Sequence, residues 1–166
     1  MAQAIKLLGD DKLKKNLAEI AKHYPQQLGK ALLAEIFKIL AVSNRKIKVD
    51  TGGTRATQYS ELEVSQGKVV AEGGYKSPVA LWLDQGTKPH MPPIQPLKEW
   101  AWRKGIADDE EEAEQIAWGV ATIIKRFGTK PDFFFTNSVN EQRASLEREI
   151  GNFIISKQNE LKRKVK

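Results

Sequence analysis

The sequence predicts an α+β fold. It has a long N-terminal helix kinked near Pro25, a small antiparallel sheet with helices packed on one side, and further helices including one at the C-terminus. Three observations lead there. Apolar residues recur at steps of three and four through the first forty-five positions, apolar–polar alternation marks two short strands before Gly73, and three more helical patterns follow.

In the first helix, from Asp11 to Arg45, the stripe is Leu13, Leu17, Ile20, Tyr24, Leu28, Ala31, Leu32, Ile36, Ile39 and Leu40. Unbroken, it would reach about 50 Å at 1.5 Å per residue. Pro25 has no N–H for the preceding turn, which places a kink or break at His23–Tyr24. Leu62 and Val64 alternate with Glu61, Glu63 and Ser65 as in a half-exposed strand. Gln66-Gly67 is a turn, and Lys68–Glu72 returns as a second strand that Gly73-Gly74 is expected to interrupt. Ser77–Leu83 is a short apolar piece, and Asp84–His90 has the chemistry of a turn. Met91–Pro96 holds three prolines and should be extended. Pro96 is expected to open a short helix that Gly105 closes. A helix from Asp109 to Phe127 stops at Gly128. Thr129-Lys130-Pro131-Asp132 then turns into Phe133-Phe134-Phe135. Ser138 and Glu141 resemble a capping box opening the last helix, whose stripe is Leu146, Ile150, Phe153, Ile154 and Leu161. The expected organisation is a single domain over 1–166: a helical arm at 1–48, an α+β core at 49–135 and a C-terminal helix at 136–166.

Composition removes whole classes of function. With no cysteine among 166 residues, disulfide scaffolds, zinc fingers, iron–sulfur clusters and thiol nucleophiles are excluded. The two histidines, His23 and His90, leave almost no scope for a histidine-rich metal centre. No stretch approaches the roughly 18–20 apolar residues of a membrane span, and the N-terminus lacks a signal pattern. The expectation is a soluble intracellular protein with no cofactor, no metal and no membrane.

The formal charge of +6 is spread as +5 over 1–50, +2 over 51–105, −4 over 106–140 and +3 over 141–166. That excess suits loose contact with a polyanion and not dedicated DNA reading. The acids Asp108 to Glu112 and Glu114 complement a helix N-terminus, and Lys162 to Lys166 suit the negative end of a helix dipole.

Two tryptophans fall off the apolar stripes. Leu97, Trp100, Ala101 and Lys104 share a face of the short helix, and Trp102 lies roughly 200° around from Trp100. In the next helix the stripe is Ala113, Ile116, Ala117, Val120, Ile123, Ile124 and Phe127, and Trp118 lies outside it. Soluble monomers avoid large apolar exposure, so either a second layer of this chain or another subunit must cover both indoles.

Catalytic chemistry finds little support. Asp50-Thr51-Gly52 after Ile47-Lys48-Val49 matches the aspartic-protease tripeptide, which in a homodimer would pair two aspartates around one proton. Yet Gly53-Thr54-Arg55 follows where apolar strand is needed, and the chain is mainly helical. A turn after the long helix accounts for the same residues. Phosphate-loop and nucleophile-elbow motifs are absent, nothing groups a triad, and His90 reads as a hydrogen-bonded loop residue.

Val49 to Arg55, Tyr75 to His90, Pro96 to Gly105 and Gly128 to Phe134, taken in order, together resemble segments of a known family, the tail-completion or neck proteins of long-tailed double-stranded-DNA bacteriophages. Val49 to Arg55 resembles that family's Val-Asp-Thr-Gly junction after a long helix. Tyr75 to His90 is similar to its Tyr–Gly-Thr–Pro-His segment, Pro96 to Gly105 to its Trp–Arg-Lys-Gly helix, and Gly128 to Phe134 to its Gly-Thr–Pro turn before the last helix. Thr54, Asp84-Gln85 and Asp132 depart from the pattern. The resemblance implies a non-enzymatic virion protein, assembled in the host cytoplasm and located at the head–tail interface. It implies a homo-oligomeric ring, a hexamer, contacting tail terminator, tail tube or head-closure proteins, with duplex DNA passing through the channel. Six copies would carry a formal +36, so a lumen free of a dense Lys and Arg ring is expected.

The expected contact residues are Gly86, Thr87, Lys88, Pro89, His90, Pro92, Pro93, Trp102 and Trp118. Asp50, Gly52, Arg55, Gly128 and Pro131 are the expected structural turns, with Gly52, Gly86 and Gly128 needing glycine's backbone freedom. Arg55 is a candidate ion-pair partner of Asp50 or Asp84. The competing readings are a sequence-independent nucleic-acid-binding module using the basic ends, and a homodimeric aspartic protease using Asp50.

Overall fold

The computed structural model describes residues 11–65 and 68–164. Its order is α1 (Asp11–His23), α2 (Pro25–Lys46), α3 (Gly53–Ala56), β1 (Gln58–Ser65), β2 (Lys68–Tyr75), α4 (Pro78–Gln85), α5 (Ile94–Arg103), α6 (Glu110–Phe127) and α7 (Phe134–Lys164). The fold is α+β, with one two-stranded antiparallel sheet among the described residues. Two compact units form: one from residues 1–78 and 134–166, the other from 79–133.

The first unit is built by α1, α2, α7 and the hairpin. The helical run breaks at Tyr24, where φ is −134° and Pro25 restarts the helix as α2. The break leaves the stripe in register. Ile20, Ala21, Tyr24 and Leu28 pack with Leu146, Ile150 and Ile154 of α7, and Leu32, Val69, Phe153 and Leu161 join them half-buried. The Lys157 ammonium sits 4.9 Å from the centre of the Tyr24 ring. The Leu13 and Leu17 side chains and the Gln66-Gly67 turn lie outside the described residues.

The hairpin pairs Leu62 with Ala71 and Val64 with Val69, which gives those residues one face. Against the earlier expectation, Gly73-Gly74 do not interrupt β2, which runs on to Tyr75. A Cβ on Gly73 would lie 2.3 Å from Ile36 Cγ2, so the bare backbone is what lets α2 press onto the sheet. Gly29 of α2 meets Leu62 in the same way, a Cβ there lying 2.8 Å from Leu62 Cδ1.

A polar network fastens the end of the hairpin to α2. The buried Ser43 hydroxyl lies 2.9 Å from the Tyr75 hydroxyl, which donates to Asn44 Oδ1 at 2.7 Å, and the Asn44 amide donates to Gln58. Phe134 and Phe135 meet the Tyr75 ring edge-on at 5.7 and 6.0 Å. Burial of these two phenylalanines draws the start of α7 back to Phe134, two residues before the expected boundary at 136. Ser138 is therefore not a cap: it is buried in the helix, and its hydroxyl donates to the Phe134 carbonyl at 2.6 Å.

In the second unit, Ser77–Leu83 lies largely in α4, and α5 starts at Ile94, two residues before the expected Pro96. Proline is harmless there, since the first four helical N–H groups have no intrahelical acceptor. α6 follows the expectation closely, from its Asp109 cap to Gly128.

Candidate interaction surface

In the unit formed by 79–133, the α5–α6 packing is made of small residues. Ala101, Ala113, Ala117 and Ala121 are all essentially inaccessible. Asp109 caps α6 by accepting from the Glu112 N–H at 2.8 Å, and the Glu112 carboxylate accepts from the Asp108 N–H at 2.8 Å. This reciprocal arrangement fixes the first turn through its acids. Lys98 of α5 reaches Glu110 at 2.7 Å and Glu114 at 3.7 Å. The hydrogen bond to Glu110 holds the lysine above its ordinary pKa, and the same bond holds the Glu110 carboxyl below its own.

Helices α4 and α6 end alike. Each is followed by the tetrapeptide Gly-Thr-Lys-Pro, at 86–89 and again at 128–131. The two copies clasp each other. Thr87 N donates to Thr129 O at 3.2 Å, Thr129 N donates to Thr87 O at 3.2 Å, and the hydroxyls lie 3.0 Å apart. Gly86 and Gly128 both take φ of +72°. A Cβ on Gly86 would sit 2.3 Å from Thr129 O, and one on Gly128 1.9 Å from Thr87 O. Glycine is thus required twice over, by conformation and by space. His90 joins the clasp: its N–H donates to Ile124 O at 3.4 Å, and Nδ1 lies 2.9 Å from Lys88 O. On the other side, Asp132 N donates to Leu83 O at 2.9 Å and Phe133 N to Asp84 O at 3.0 Å.

Around this frame the large apolar side chains are left in solvent. Val79 and Trp82 are exposed on α4, Trp102 and Ile106 at the end of α5, and Trp118, Ile123 and Phe127 on α6, with Met91 and Phe133 on loops. In the larger unit only Phe37, Val49 and Ile155 are comparably exposed among the described residues. Trp102 and Trp118 stand off their stripes as the helical angles predict, about half exposed. Ile123 and Phe127 do not belong to the buried stripe of α6, which is centred on its alanines. The fully buried positions of α6 are its alanines, with Ile116, Val120 and Ile124 half-buried beside them. Trp82 was invisible to sequence reasoning because Ser77–Leu83 showed no helical signal.

Between α5 and the start of α6 lies a cleft of about 350 Å³. Ala113 and Trp102 give it apolar surface, and Lys98, Glu99, Arg103 and Glu110 line it. Lys88, Pro89, Pro93 and Pro131 are exposed on the clasp and the loop it anchors, where Pro92 is half-buried.

Of the expected turn residues, Asp50, Gly52 and Arg55 lie in the other unit. Asp50 and Thr51 are exposed in the turn after α2, and Gly52, at φ +83°, caps the single turn of α3. Asp50 does not follow a strand. Arg55 is exposed on α3, and its charge acts on Tyr75. Among the described residues no three His, Asp or Glu side chains group as a metal site requires. No described helix is long and apolar enough to cross a membrane.

Comparison with protein-family models, with curated proteins and with solved structures finds no match for this chain.

Proposed function

We propose that this chain is a structural subunit of a bacteriophage neck, one that completes the tail and joins it to the head as part of a homo-oligomeric ring. The supporting observation is the concentration of exposed tryptophan, phenylalanine and isoleucine on residues 79–133, over a frame held by the Gly-Thr-Lys-Pro clasp. Full burial of one such side chain is worth about 1.5–3 kcal/mol, so covering the exposed half of several is a strong drive to associate. The four segments that resemble neck proteins supply the setting, and two of them contain the clasping tetrapeptides.

A subunit of this kind works by being held on more than one side. Its rigid loops and half-exposed indoles serve as contact points for neighbouring copies and for the tail. The test is assembly of particles without the chain, followed by electron microscopy. Filled heads and unjoined tails are expected to accumulate and to join when the purified protein is added. Joined, infectious particles lacking the chain would overturn the reading.

A further inference from the structure

We propose that the α6 C-terminal end of one copy seats in the α5–α6 cleft of the next, making a head-to-tail contact between copies of this chain. In naming the subunit contact, this rests on the ring reading above.

The cleft opens at the start of α6. Trp102, 55 % exposed, and Ala113 offer it apolar surface. Its lining charges cancel in pairs, Lys98 with Glu110 and Arg103 with Glu99, so the net negative charge beside it comes from Asp108, Asp109, Glu111 and Glu112, exposed at the start of α6. The opposite end of the same helix carries the complement. Phe127, at 67 %, is the most exposed large apolar side chain described, and the Arg126 guanidinium stands 5.1 Å from its ring centre. Lys125 is exposed beside it, and Lys88 and Lys130 are exposed on the clasp that follows. Each end is thus an apolar centre, and the exposed charge beside the two centres is acidic at the start of α6 and basic at its end.

The contact has to be between molecules. Glu110 and Phe127 are the two ends of one straight helix, about 25 Å apart at 1.5 Å per residue, so the Phe127 end cannot fold back into its own cleft. Because the joined patches differ, the contact is heterologous, and repetition gives a ring or a filament.

Charge reversal provides the test, read by sedimentation velocity. Asp108→Lys with Glu111→Lys makes both ends of one variant basic. Lys125→Glu with Lys130→Glu makes both ends of another acidic. The wild type is expected to self-associate, less so as salt rises. Each variant alone should be monomeric, and their equimolar mixture should associate again. Phe127→Ala should weaken association at least tenfold. All changes lie on exposed positions, and an unchanged circular dichroism spectrum verifies folding. Because the chain has no cysteine, a mixture of Glu111→Cys and Lys125→Cys variants should yield on oxidation the mixed disulfide and little of either same-variant pair. A wild type that stays monomeric, a mixture that fails to reassociate, or disulfides only between like variants would overturn the contact. A monomer that still joins purified tails would overturn this contact and leave the neck role standing. Head-to-tail oligomers absent from virions would do the reverse.

Discussion

Tyr75 shows how much one side chain can join. Its ring meets two phenylalanines from α7, and its hydroxyl bonds Ser43 and Asn44 of α2, while its backbone ends β2. Tyr75→Phe keeps the ring and strands the buried Ser43 hydroxyl, so it should cost about 1–3 kcal/mol in urea unfolding. Burial pushes the Tyr75 phenol above its ordinary value of 10.0, against the opposing pull of Ser43 and Arg55. A raised value means that the folded state favours the neutral phenol. The contribution is therefore complete below pH 10 and is lost as pH rises through the higher folded value. A stability–pH profile of Tyr75→Phe should lack that alkaline decline, and an identical decline in both proteins would count against the assignment.

Among the elements, α6 and its caps were legible because every local signal agreed. An acid-rich first turn, an Asp cap and a closing glycine bracket a helical stripe. In β2 and at the start of α7 tertiary packing overrides the local rule. Gly73 reads as a breaker until α2 lies against it, and Ser138 reads as a cap until Phe134 and Phe135 are drawn into the core. The clasp has a signature in the sequence. Gly-Thr-Lys-Pro stands twice in the sequence, and identical turns ending two helices invite pairing. The prediction for this element is specific. Gly128→Ala places a Cβ 1.9 Å from Thr87 O at φ +72°, and Gly86→Ala one 2.3 Å from Thr129 O. Each should destabilise by about 1–3 kcal/mol, with amide exchange accelerated at Thr87 and Thr129 before it is in α2. Gly105→Ala, also at positive φ but in open space, should cost less than either. Equal costs at all three glycines would mean that the clasp is not what these residues serve.

At the scale of the whole molecule, helical angles place the two indoles off the apolar stripes but do not give the extent of the exposed surface, because Ile123 and Phe127 belong to the stripe by spacing while the buried face of α6 is centred on its alanines. If that surface is what neighbours grip, Trp102→Ala together with Trp118→Ala should leave the melting temperature nearly unchanged and reduce incorporation into tails at least tenfold, measured by quantitative blotting of purified particles. A variant that melts much earlier would instead assign the indoles to the protein's own core. The backbone bonds from Asp132 to Leu83 and from Phe133 to Asp84 have a consequence for the remainder of the chain. They tie the exit of the 79–133 segment to Leu83 and Asp84, one helical turn past its first residue, and the Tyr75 and Phe134 rings that flank the segment in sequence meet at 5.7 Å. Excising the segment and bridging the gap with a few glycines and serines should leave a folded remainder, visible as dispersed amide resonances. The segment can therefore change its exposed surface, and with it what it touches, while the supporting helices stay as they are.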